Sequence, residues 1–217
     1  MMNPASRLSV LARLQLGLET LYRVETNLPI DEFLVDAETR EAALGAGARL
    51  PREQLVLQQH EGELAMALFV DGAALSNLER HDPSDHLDDR NFTDFCLAVE
   101  GVSHFIYLAL CAAGDRAVSQ LELELQAEVD KYACCVLLDA RDPELRRRLY
   151  RDVRFADDLN ADERARYQAA NAEADRYSAM LERRFVQTDR TDGLLAELRR
   201  FYRMALADKL SRIATLV

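Results

Sequence analysis

Several signatures that would name a chemistry outright are missing from this chain. No GxSxG turn, P-loop or GxGxxG run is present, so neither a nucleophile elbow nor a phosphate-cradling glycine loop can be placed. The four cysteines, Cys96, Cys111, Cys134 and Cys135, contain no CxxC pair, which argues against a cysteine zinc knuckle. They sit in apolar surroundings and read as buried free thiols of a reducing compartment. Excess positive charge is lacking too. Lys and Arg number 27 against 38 Asp and Glu, a net charge of −11, whereas general nucleic-acid binding needs a positive field. No stretch approaches the ~20 uninterrupted apolar residues of a membrane helix. The N-terminal run MMNPASRLSVLARLQLGLE spaces its leucines by three and four, with Arg7, Arg13 and Glu19 between them. That is an amphipathic helix, not the apolar block of a signal peptide. The expectation is a cytoplasmic protein without a membrane segment.

What is present suits a globular fold. Of 217 residues, 49% are hydrophobic and 30% charged, enough to bury a sizeable core. A first helix is expected over about 5–25, interrupted before Pro29. Short elements follow, punctuated by Gly45, Gly47 and Pro51. Residues 53–76 read as a β-hairpin turning at His60-Glu61-Gly62-Glu63, with a return strand, LAMALFVD, apolar enough to be buried on both faces. An acidic link, 79–91, holds His81 and His86. Residues 93–112 and 117–139 then read as two long helices, the first the central buried helix of the fold. Further helices are expected near 142–151, opened by Asp142-Pro143, and over 161–186 and 191–216. The fold class is therefore α+β and helix-dominated. A small antiparallel sheet packs on the helix pair of a domain spanning 1–139. A C-terminal helical hairpin within 140–217 extends it, or packs with it as one unit.

The chemistry-bearing constellation lies on that helix pair. Two histidines at i and i+4 share one helical face and can reach one zinc. A glutamate after the first serves as general base on zinc-bound water, and the next helix supplies a third ligand. Phe95-Cys96-Leu97-Ala98-Val99-Glu100-Gly101-Val102-Ser103-His104 resembles the F-T-L-A-H-E-x-x-H stretch of the ImmA/IrrE family of zinc-dependent peptidases. Glu128-Val129-Asp130-Lys131-Tyr132-Ala133-Cys134-Cys135-Val136-Leu137-Leu138 resembles that family's E-A-N-R-F-A-A-x-L-L-M stretch. The resemblance covers residues 53–139 and implies a zincin-like helix pair with Glu128 as third ligand. The ligands themselves are altered. Aligning Phe95–Ala98 puts Glu100 on the general base, with Val99 and Ser103 in place of the histidines. Aligning His104 on the second histidine puts Glu100 on the first ligand and Gly101 on the base. Consecutive helical positions differ by ~100°, so both registers cannot hold together.

Three functions follow as expectations. The first is a non-catalytic, peptidase-like scaffold that binds a protein partner, regulates, or self-associates. On that view Glu100 and His104 form an i,i+4 hydrogen-bonded pair, and Glu122, Glu124 and Glu128 lie on a wet face. Glu128 faces Glu100, or Asp130 and Lys131 are simply solvated. The second is a metal-dependent hydrolase that uses Glu100, His104 and Glu128, with zinc as cofactor. The third is an adaptor that takes an acidic or phosphate-bearing partner on its arginine-rich helices. Its candidates are Arg147 and Arg151 from one cluster and Arg184, Arg200 and Arg203 from another, against the bland alternative of solvated helix faces. His60, His81 and His86 read as surface histidines.

Overall fold

Residues 8–60, 63–138 and 142–216 are described in a computed structural model. Helix α1, Val10–Tyr22, is capped by Ser9, whose Oγ accepts the Ala12 amide. It stops where Arg23 enters the left-handed region at φ 54°. The buried Gln15 then secures the following loop, since its amide donates to the Leu28 carbonyl and its oxygen accepts the Ile30 amide. A 3₁₀ turn, Ile30–Phe33, leads to a short helix α2, Ala37–Leu44, capped by Asp36.

Strands β1, Glu53–His60, and β2, Glu63–Val70, pair antiparallel from Glu53 opposite Val70 to His60 opposite Glu63. The tip, residues 61 and 62, lies outside the described residues, as does the side chain of His60. The return strand is not buried on both faces as its apolar run suggested. Leu68 and Val70 enter the core, while Phe69 faces the other way and is covered by the Arg40 guanidinium 3.8 Å above its ring. The hairpin also ends earlier than 76. Asp71 accepts the Ala73 amide and starts helix α3, Gly72–Arg80, whose Ala74 and Leu78 are buried. An apolar strand running directly into an apolar helical stripe hid this boundary.

Helices α4, Phe92–Ala113, and α5, Gln120–Leu138, form the expected pair. By length and composition α4 could cross a membrane, contrary to the expectation that no such stretch exists; most of it is buried against the other elements. After Asp142, whose Oδ1 accepts the Glu144 amide, a π-type turn covers Arg147–Arg151. Helix α6, Ala161–Leu181, opens with a reciprocal Asn160–Glu163 cap and closes in a π-type turn, Glu182–Val186. The segment expected over 191–216 is divided at 203–205 into α7, Thr191–Tyr202, and α8, Leu206–Leu216.

One apolar cluster joins all of this. Leu18 and Tyr22 of α1, Phe105 of α4 and Tyr132 of α5 share it with Tyr177, Phe201 and Ile213 of the last three helices. Tyr22 stacks on Tyr202 at 3.9 Å between ring centroids, and Tyr177 on Phe201 at 4.0 Å. Among the described residues, 142–216 therefore pack into the same core as 8–138. Ile213 is 1% exposed, so Ile213→Ala is expected to cost about 2–5 kcal/mol of global stability. Urea unfolding followed by far- and near-ultraviolet circular dichroism should show one shifted transition. A separate early transition with an unshifted main one would mean that α8 is an independent appendage.

Candidate functional site

Helical periodicity places the charged residues of α4 and α5 against one another. Glu100 and His104, one turn apart, share a face of α4. Glu124, Glu128 and Lys131 share a face of α5 by the same spacing. The residues of the expected wet face are buried: Glu124 is 9% exposed, with Arg166 of α6 beside it, and Glu122, on another face, is 3% exposed against Tyr107 and Arg116. Glu100 does face Glu128, with Lys131 between them. The Lys131 ammonium lies 2.7 Å from Glu100 Oε2 and 2.8 Å from Glu128 Oε1.

His104 does not pair with Glu100. Its Nδ1 lies 3.7 Å from Glu53 Oε1 and its Nε2 3.6 Å from Glu124 Oε2. These separations are ion-pair distances, too long for hydrogen bonds, and Nε2 and the Glu53 oxygen have no hydrogen-bond partner. Glu53 reaches this site because α4 carries a glycine there. A Cβ on Gly101 would stand 3.0 Å from Glu53 Cγ and 3.2 Å from Leu68 Cδ1. Arg166 of α6 adds a guanidinium 4.0 Å from Glu124. Four carboxylates, Glu53, Glu100, Glu124 and Glu128, thus face His104, Lys131 and Arg166.

Burial and charge compete at each group. Burial alone would lower the His104 and Lys131 values, but their carboxylate neighbours outweigh it and hold both well above their ordinary ranges. Burial raises Glu53 and Glu128, against the opposing pull of His104 and Lys131 respectively. For Glu100 the cations beside it, Lys131 first, overcome burial and lower the value. The two ring nitrogens of His104 each lie near a carboxylate, an arrangement that favours its protonated form.

The other face of the pair carries a second buried network. Asp130 accepts hydrogen bonds from Tyr22, from Ser103 at 2.6 Å and from Gln126 at 2.7 Å. Lys209 of α8, fully buried, donates to Gln126 Oε1 and Tyr107 OH, both at 2.7 Å. Tyr107 in turn donates to Glu122 at 2.8 Å. Burial pushes Asp130 up to about 6 and Lys209 down to about 7. Asp130 and Lys131 are thus both internal, not solvated. Val99, the other register's candidate, is packed in the apolar core.

These contacts bear on metal binding. Glu100 and Glu128 are committed to an ammonium, and the carboxylates on both sides of His104 favour its protonated form, which has no free lone pair to offer. Among the described residues no group of three or more His, Cys, Asp or Glu side chains is placed to hold a metal ion. The donor set as arranged does not fit a zinc. Three of the predicted arginines have partners within the chain. Arg147 pairs with Glu144 and Asp152, and Arg151 lies 3.9 Å from Asp175. Arg203 donates to the carbonyls of Arg199 and Tyr22. Arg184 and Arg200 are exposed and form no ion pair among the described residues. His86 is also on the surface, with 70% of its side chain exposed.

Sequence reasoning passed over Glu53, Arg166 and Lys209. Only Lys209 left a signal, since it falls on the Leu206–Ile213 stripe of α8 where an apolar residue belongs. Compared with family models, with curated proteins and with solved structures, the chain finds no match in any of the three.

Two outcomes test the cluster. Lys131→Met would leave two carboxylates facing each other in a buried site, at a cost of about 3–5 kcal/mol near neutral pH. Without the ammonium the folded-state values of both acids rise, so the variant should recover as pH falls from 8 to 5. Equilibrium urea unfolding across that range measures this, and a pH-independent loss would contradict it. For His104, the folded value lies above the unfolded one near 6.5. Its contribution is therefore complete below about pH 6.5 and lost as pH rises through the folded value. Relative to His104→Gln, the native chain should lose stability on the alkaline side. The ring should also give imidazolium chemical shifts by NMR at pH 7.5; a neutral ring there would refute the assignment.

Proposed function

We propose that this chain is a non-catalytic, peptidase-like scaffold that works as a protein-binding or regulatory module. The observation that carries this is the Lys131 ammonium held between Glu100 and Glu128. A zinc peptidase needs those positions to present free lone pairs around an open coordination site. Here the two carboxylates share a cation from within the chain, and His104 lies between Glu53 and Glu124 at ion-pair distance. The buried charges hold α4 and α5 in register, which is a structural use of such a cluster. The order of the two helical motifs supports a peptidase-like frame, and the exposed Arg184 and Arg200 offer a surface for a protein partner or for self-association.

Elemental analysis of untagged protein by mass spectrometry tests this reading. The scaffold predicts less than about a tenth of an equivalent of zinc per chain and a melting temperature indifferent to chelator. Stoichiometric zinc that disappears in His104→Ala would overturn it in favour of a metal-dependent hydrolase.

A further inference from the structure

A cleft of about 230 Å³ opens between α1, the start of α4 and the end of α5. It shares no residue with the charged cluster. Leu18 and Phe95, each 1% exposed, form its floor, and the thiol-bearing Cys134 and the half-exposed Leu137 form one wall. Its surface is almost wholly apolar. The one pair of charges at its rim is closed on itself: Arg13 donates to Asp82 at 2.6 Å, and the second Asp82 oxygen accepts from the amide and hydroxyl of Ser84.

Gly17 gives this cleft its width. It sits inside α1, where glycine weakens a helix relative to alanine. A Cβ built on it meets nothing within 4 Å. Gly101 and Gly193 differ, because close neighbours at each would meet a side chain. Among the described residues no packing demand therefore accounts for Gly17. Its effect is to leave room above the floor of the cleft.

We propose that the cleft binds a small uncharged apolar molecule. Cavities of about 150 Å³ lined by such residues stay dry and accept benzene, so this one suits a two-ring aromatic or a chain of about eight carbons. The ligand is uncharged because no counter-charge is free: Arg13 and Asp82 satisfy each other, and the chain as a whole carries −11. An anionic head would have to displace Asp82 from Arg13.

The probe is 1-naphthylamine, a two-ring fluorophore that is uncharged at neutral pH and whose emission shifts to the blue in apolar sites, titrated into the full chain. Saturable binding at one equivalent is expected. 1-Octanol should displace it at least tenfold more effectively than octanoate of the same length. Gly17→Leu fills the cleft and should weaken the dye at least tenfold, whereas Gly17→Ala should weaken it no more than threefold. Leu137→Asp, at a position already half-exposed, supplies a second block should Gly17→Leu fail to fold, and circular dichroism checks both. Non-saturable binding, an affinity unchanged within twofold in a folded blocking variant, or octanoate competing as well as octanol would each overturn the proposal.

Discussion

A single ammonium ties the two central helices together. Lys131 lies between Glu100 of α4 and Glu128 of α5, and without it the interior of the pair would hold opposed carboxylates. The neighbouring interactions follow from that placement. With Glu100 engaged by lysine, His104 turns to Glu53 and Glu124. Glu53 can reach it only because Gly101 leaves its side of α4 bare. The first residue of β1 is thereby anchored against the middle of α4, and the hairpin takes its position from a charge contact as much as from Leu68 and Val70. Apolar area alone would permit the sheet to slide on the helix; a buried ion pair between fixed points does not.

The pair also divides the interior by chemistry. One face of α5 presents Glu124, Glu128 and Lys131, in which formal charges meet. The opposite face presents Gln126 and Asp130, in which hydrogen bonds from Tyr22, Ser103 and Gln126 satisfy a carboxylate raised towards neutrality. Asp130 and Lys209 are not in direct contact; Gln126 stands between them, its amide bonded to the acid and its carbonyl oxygen to the amine. Buried polar groups of this kind are costly unless fully partnered, and this second network is nearly so.

The helices were legible from spacing alone, because 93–112 and 117–139 carry long apolar patterns with a period near 3.6. The small elements were not. Residues 37–44 bury little beyond Arg40, so no apolar stripe marks them, and α3 is hidden by the strand that feeds it. The motif comparison brought Glu100, His104 and Glu128 to attention, and all three do lie in one cluster. Their partners could not be read. Whether a run such as Glu122–Glu124–Glu128 is wet or dry depends on what covers it, and α6 lies some forty residues further on. Glu53 comes from the other direction, from a strand edge whose carboxylate looks solvent-facing in a pattern such as EQLVLQQH. Charge in a linear pattern reads as surface. Only the packing of distant elements converts it to interior.

The last turn of α1 has one more consequence. Its carbonyls at Leu21 and Tyr22 accept from Arg199 and Arg203, and the Tyr22 ring stacks on Tyr202. The partners are some 180 residues downstream. During synthesis, at about 5–20 residues per second, α1 must wait on the order of ten seconds or more for the groups that finish it. For about the first half of that interval its apolar stripe has no α4 to lie against, and for nearly all of it no α7. The end of α1 is thus completed only when residues made long after it have been added.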